Sequence, residues 1–233
     1  MAILAIDTSM AACSAAILPL GSERPVQRFA PMARGHAEEL FAMIEAVMAE
    51  ADCDFSQLSK IAVTLGPGSF TGVRAGLAAA RGFALAAGLP IVGANSLEVM
   101  AQGCLRRLGP QERSEGFAVI HDARREECYA QVFDADGQAL GEPGLFRIGD
   151  VTETLPPTIK LLVGTGAIAA VAAAGAKSAA NDLAAGLPDL LPEAGDLARI
   201  AVSRVPSPQP PAPLYLRPAD AKPQTDKSLA RAE

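Results

Sequence analysis

An α/β protein built from two related units is the fold this sequence predicts, and three observations predict it. Three strand-like runs precede the first helix. A strand runs through a Gly-rich turn straight into a helix. A strand ending in Asp and followed by a hairpin partner occurs near the N-terminus and again after residue 117, the mark of a duplicated unit.

Residues 2–6 form a short apolar strand that delivers Asp7, Thr8 and Ser9 at its C-terminal end. Cys13 to Leu18 is a second strand, with the turn after it at Gly21, and Val26 to Phe29 a weaker third; the three predict an antiparallel meander. A helix follows over 36–51. Leu40, Phe41, Ile44, Val47 and Met48 make its apolar stripe, Glu38, Glu39, Glu45 and Glu50 lie off it, and Ala42, Ala46 and Ala49 form a smooth second strip. Ile61 to Leu65 is the next strand. The turn Gly66-Pro67-Gly68-Ser69 then opens a helix from about Thr71 to Ala87 whose only charges are Arg74 and Arg81. A helix so apolar all round must be covered on more than one side, and Gly72, Gly76 and Ala80 suit close helix approach. Gly88 ends it, Pro90 to Gly93 is a strand, and Ser96 caps a helix reaching about Leu108.

The polar, turn-rich segment 109–116 is the expected boundary between an N-terminal lobe, 1–108, and a C-terminal lobe, 117–216. In the second lobe Phe117 to Ile120 is a strand ending in His121-Asp122, Cys128 to Phe133 its hairpin partner, and Lys160 to Val163 a further strand leading through Gly164-Thr165-Gly166 into an alanine-rich helix. The pattern fades after Gly186, the proline-rich stretch 206–213 must be extended, and 217–233 reads as a flexible tail.

A net charge of -6 argues against broad electrostatic binding to nucleic acid. The four cysteines form no C-x-x-C pair and read as free thiols in a reducing compartment; with only His36 and His121 available, no metal site is expected. No basic n-region opens the chain, and the apolar stretch 75–94 is a helix plus a strand, so a soluble, cytoplasmic protein is expected.

Two features suggest sites. Asp7, Thr8 and Ser9, at the end of a strand, and Gly164 and Gly166, before a helix, sit where α/β sheets bind phosphate groups, although they equally suit local turns. The Gly-rich turn is no P-loop, because no Lys-Ser/Thr pair follows its last glycine. The two apolar helices favour a subunit contact over plain core.

Ile6-Asp7-Thr8-Ser9, Arg34-Gly35-His36-Ala37-Glu38, the run Gly66-Pro67-Gly68-Ser69-Phe70-Thr71-Gly72-Val73-Arg74, Asp122-Ala123-Arg124 and Leu214-Tyr215-Leu216-Arg217 resemble, in order, the bacterial TsaB (YeaZ) family, labelled glycoprotease-like. The resemblance implies an actin/Hsp70-like ATPase (ASKHA) fold of two related lobes with mixed sheets. It implies a non-catalytic subunit that supports a TsaD-like transferase in forming N6-threonylcarbamoyladenosine at position 37 of ANN-decoding tRNAs. The implied partners are that TsaD-like paralogue, a TsaE-like ATPase, a second copy when the chain is alone, and tRNA through the complex. The implied interface comprises His36, Glu39, Ala42, Met43, Ala46, Gly72, Arg74, Gly76, Ala80 and Phe83. No intrinsic cofactor is expected, with ATP or ADP at most at the partner interface. Catalytic relatives carry His-x-x-x-His where this chain has Ser96 and Met100, and both Asp-x-Gly turns of the fold lack their glycine here. These departures disfavour the alternative, an ATPase or metallopeptidase of the glycoprotease type.

Overall fold

The computed structural model describes residues 1–178 and 182–217. Its first sheet contains β1 (Ala2–Asp7), β2 (Ala12–Pro19), β3 (Val26–Pro31), β4 (Leu58–Thr64) and β5 (Ile91–Ala94), in the order β3-β2-β1-β4-β5. The first three strands pair antiparallel, and β4 and β5 extend the sheet in parallel. Its second sheet contains β6 (Phe117–Arg124), β7 (Glu127–Phe133), β8 (Gly144–Arg147), β9 (Leu161–Val163) and β10 (Ala184–Gly186). Read from the meander edge, its order is β8-β7-β6-β9-β10, with the same alternation of antiparallel and parallel pairs. The duplicated unit read from the sequence is therefore real, and the architecture is the two-lobed actin-like ATPase fold.

Among the described residues five α-helices complete the fold: α1 (His36–Glu50), α2 (Phe70–Ala87), α3 (Ser96–Arg107), α4 (Ala167–Lys177) and α5 (Ala194–Ser203). Alternate residues of β1 face opposite sides. Leu4 and Ile6 pack under Leu40, Ile44 and Val47 of α1 and Leu77 and Ala80 of α2. Ile3 and Ala5 pack instead against Leu197, Ala198 and Ala201 of α5 and Val99 of α3. The other side of α3 presents Leu97, Met100 and Cys104 to Phe117, Val119 and Phe133 of the second sheet. Helix α4 closes the outer face through Ala167 and Ala170. The layers run α1/α2, first sheet, α3/α5, second sheet, α4.

Helix starts differ from the sequence reading by one residue. Ser69, in extended conformation, caps α2, its side chain accepting from the Gly72 amide. Asn95 rather than Ser96 caps α3, in a capping box with Glu98. The larger departure is α5. It lies within the segment expected to form the second lobe, yet it covers the first sheet, so 117–216 is not a separate packing unit. The weak pattern after Gly186 hid it because alanine and glycine make up most of its buried face.

The proline-rich stretch carries no helix or strand and runs as a strap over α2. Leu214 N donates to Leu65 O at 2.7 Å, Arg81 to Pro211 O at 2.6 Å, and Arg74 Nε to the Tyr215 hydroxyl at 2.8 Å. Phe70 stacks on Tyr215 at 5.3 Å, with the Arg74 guanidinium 3.7 Å from the Phe70 ring centre. Beyond it, Arg217 bonds Ala123 O and Glu127 of the second lobe. Except for Arg217, the expected flexible tail lies outside the described residues. Among the described residues, no helix is long and apolar enough to cross a membrane.

Candidate functional site

The C-terminal end of β1 lies at the centre of the first sheet, and α2 closes over it. Asp7, Thr8 and Ser9 are all buried. Asp7 Oδ1 accepts from Ser9 Oγ at 2.7 Å, from Ser9 N and from Thr64 Oγ1, while Oδ2 has no partner among the described residues. Thr8 Oγ1 donates to Gly72 O at 2.6 Å, and Ser69 N donates to Ser9 O at 2.7 Å. A Cβ on Gly68 would overlap Ser9 O, one on Gly72 would overlap Thr8 O, and one on Gly76 would lie 2.6 Å from Thr8 Oγ1. The glycines thus exist so that α2 can press against the β1–β2 turn. The space that an anion would need at this turn is filled by the helix itself.

Burial pushes the Asp7 carboxyl up to about 6, against which its bonds from Thr64 and Ser9 pull down. A carboxyl raised in the folded state contributes stability that is complete below its unfolded value of 3.8 and lost as pH rises through about 6. Stability is expected to fall across that window by on the order of 2–3 kcal/mol. Asp7→Asn should flatten the fall in urea titrations at successive pH values; an unchanged slope would assign it to another group.

Gly164 and Gly166 are likewise committed internally. Gly166 N donates to Ile120 O at 2.9 Å, and a Cβ on Gly164 would sit 2.6 Å from the same oxygen. The five residues read as nucleotide contacts therefore share one end of the fold but offer no open backbone cradle.

What does open there is a cleft between the lobes of about 410 Å³. Met10, His36 and Ser69 line one wall; His121, Arg124 and Tyr129 line the other. His36 Nε2 donates to Met10 O at 2.9 Å, tying the start of α1 to the turn between β1 and β2. Thr165 Oγ1 accepts from Asp122 N at 3.0 Å and is hydrogen-bonded to His121 Nδ1 at 3.1 Å. Burial lowers the His121 pKa to about 4, which keeps the ring neutral. The β6–β7 turn is tight: Arg124, Arg125 and Glu126 all have positive φ, at 62°, 56° and 59°. Such strain in three successive non-Gly residues is costly and collects at functional sites.

The expected partner residues divide. Glu39, Ala42 and Arg74 are exposed, and Ala46 and Phe83 are half-buried. Met43, Gly72, Gly76 and Ala80 face the chain's own core, because the faces of α1 and α2 that carry them pack on the first sheet. Arg74 is held by Tyr215 of the strap. The apolar surface left open on α2 comprises Ala78, Gly82, Leu85 and Ala86, with Ala75 and Ala79 half-buried beside them. Beside it Phe41, Phe55 and Phe83 form an aromatic cluster, with Phe41–Phe83 at 5.7 Å and Phe55–Phe83 at 5.2 Å. The strip was hidden in the sequence because both sides of α2 are equally alanine-rich; only Phe83 was singled out. Among the described residues, no three His, Cys, Asp or Glu side chains group to hold a metal.

Comparison with known proteins gives concordant matches. Residues 30–191 match the family model described as TsaD: tRNA N6-adenosine threonylcarbamoyltransferase. The tRNA threonylcarbamoyladenosine biosynthesis protein TsaB of Escherichia coli (strain K12) is 35% identical over 159 residues, 68% of this chain and 64% of that protein. Its Haemophilus influenzae namesake is 35% identical over 129 residues, 55% of this chain and 52% of that protein. The match thus spans less than two thirds of either relative's length. The solved structure of YeaZ from Pseudomonas aeruginosa superposes with a TM-score of 0.72 at 28% identity, covering 92% of this chain and 99% of that one.

Proposed function

The chain belongs to the TsaB (YeaZ) family, and from that premise we propose that it is a non-catalytic subunit supporting a TsaD-like transferase in forming N6-threonylcarbamoyladenosine at position 37 of ANN-decoding tRNAs. The observation that carries this reading is the uncovered outer face of α1 and α2. Phe41 is 56% exposed there and Leu85 87% exposed, next to a strip of alanines and glycine that lets a partner helix approach closely. The partner is the TsaD-like paralogue, and two copies pair through the same face when it is absent. A TsaE-like ATPase joins the complex, which works in the cytoplasm and meets tRNA as a whole. Any ATP or ADP belongs at the partner interface, since α2 fills the β1–β2 turn.

A Cβ on Gly82 would meet nothing within 4 Å, so Gly82→Arg should fold normally. At the centre of the docking strip it is expected to weaken association with the TsaD-like paralogue by about 100-fold, the scale of a buried interface residue. Calorimetric titration checks this, and unchanged affinity would move the interface elsewhere. Depleting the protein should lower threonylcarbamoyladenosine in digested tRNA; an unaltered level would remove the pathway assignment.

A further inference from the structure

An apolar groove of about 540 Å³ lies between the C-terminal half of α1, the turn at Phe55 and α2. Ile44 and Met48, both buried, form its floor, and Phe41, Phe55 and Phe83 its walls. Three carboxylates ring it: Glu45, Asp52 and Asp54, all exposed and none in an ion pair among the described residues. The same imbalance runs along the whole face. From His36 to Gln57 the chain carries Glu38, Glu39, Glu45, Glu50, Asp52 and Asp54, with no lysine or arginine. Among the described residues only Glu50 of these is neutralised, by Arg28 of β3. The charges of α2 do not redress it: Arg74 donates to the Tyr215 hydroxyl and Arg81 to Pro211 O, so both are committed to the strap. In the groove wall, burial raises the Cys53 pKa, the ammonium of Met1 opposes the rise, and Asp54 and Asp52 add to it.

We propose that this groove takes an apolar side chain flanked by lysine or arginine on the partner, and that its acidic rim selects such a partner over a second copy of this chain. The aromatic walls offer a pocket that one anchor side chain can fill and desolvate. The rim carboxylates then gain counter-ions only from basic neighbours of that anchor. A second copy pairing through the same face brings the same acids, with the arginines of its α2 held on its own strap, so carboxylate meets carboxylate. The inference rests on the proposed docking role of this face and adds the chemistry that the partner must present.

Glu45→Gln combined with Asp52→Asn removes two rim charges while keeping the side-chain shapes. Asp52 has a φ of 47°, which asparagine also accepts, so the thermal midpoint should match the parent's. In about 50 mM sodium chloride the double variant is expected to bind the TsaD-like paralogue about tenfold more weakly than the parent in calorimetric titration. The gap should close at about 0.5 M salt, where exposed charges are screened. Sedimentation equilibrium of each chain alone should give the opposite order, the variant self-associating more tightly than the parent. Equal affinities for the paralogue at low salt, or a parent that self-associates as tightly as the variant, overturn the proposal. Gly82→Arg tells this failure from that of the docking role. Association weakened by Gly82→Arg but not by the double variant removes the acidic selection and leaves the docking face; affinity unchanged in both removes the two together.

Discussion

Gly72→Ala is expected to cost about 3 kcal/mol or more of folding free energy and to lower the thermal midpoint by about 10 °C. The added methyl would overlap the Thr8 carbonyl oxygen and lie 2.6 Å from Ser69 Oγ. Thr8 O belongs to the backbone between β1 and β2 and cannot rotate away. Relief requires α2 to lift from the sheet, which weakens the Thr8–Gly72 and Ser69–Ser9 bonds together. Gly82→Ala supplies the control on the same helix: it enters open space and should stabilise by about 0.5–1 kcal/mol through helix propensity. Calorimetry on the pair separates clash from propensity. A Gly72→Ala protein within about 1 kcal/mol of the parent would mean that the turn is not packed as described.

Arg106→Met should be as damaging for a different reason. Asp196, at the start of α5, is 1% exposed, and Arg106 of α3 grips both its oxygens at 3.1 and 3.0 Å, with Arg199 adding a third bond at 3.0 Å. Removing Arg106 leaves a buried carboxylate under-compensated at the seam between the two sheets, a loss of about 3–5 kcal/mol. Asp196→Leu in the same chain should restore most of it, because the pair's desolvation cost disappears with the pair. Urea unfolding of the two single variants and the double variant measures the coupling. Additive losses would show that the two side chains do not act as a unit.

The elements with long periodic patterns were legible in the sequence: β1, β2, α1, β4 and α2 all appear within a few residues of their expected ends. So was the duplication, because a strand, a polar end and a hairpin partner repeat. Tertiary destinations were not. The glycines of the 66–72 turn announced a close approach, but the object approached, the Thr8–Ser9 backbone, is some sixty residues earlier in the chain. Met43, Gly76 and Ala80 looked suited to a partner because small and apolar residues serve core and interface alike; only the direction of each helix face separates the two uses.

Helix α5 also constrains the order in which the protein comes into being. Two of the strands it covers, β1 and β2, lie among the first nineteen residues, and the helix itself begins at residue 194. A nascent chain emerging from the ribosome must therefore keep Ile3, Ala5, Ala16 and Leu18 without their final cover until most of its length has been made. Its N-terminal half cannot mature first and wait; the two halves finish together, after release of α5.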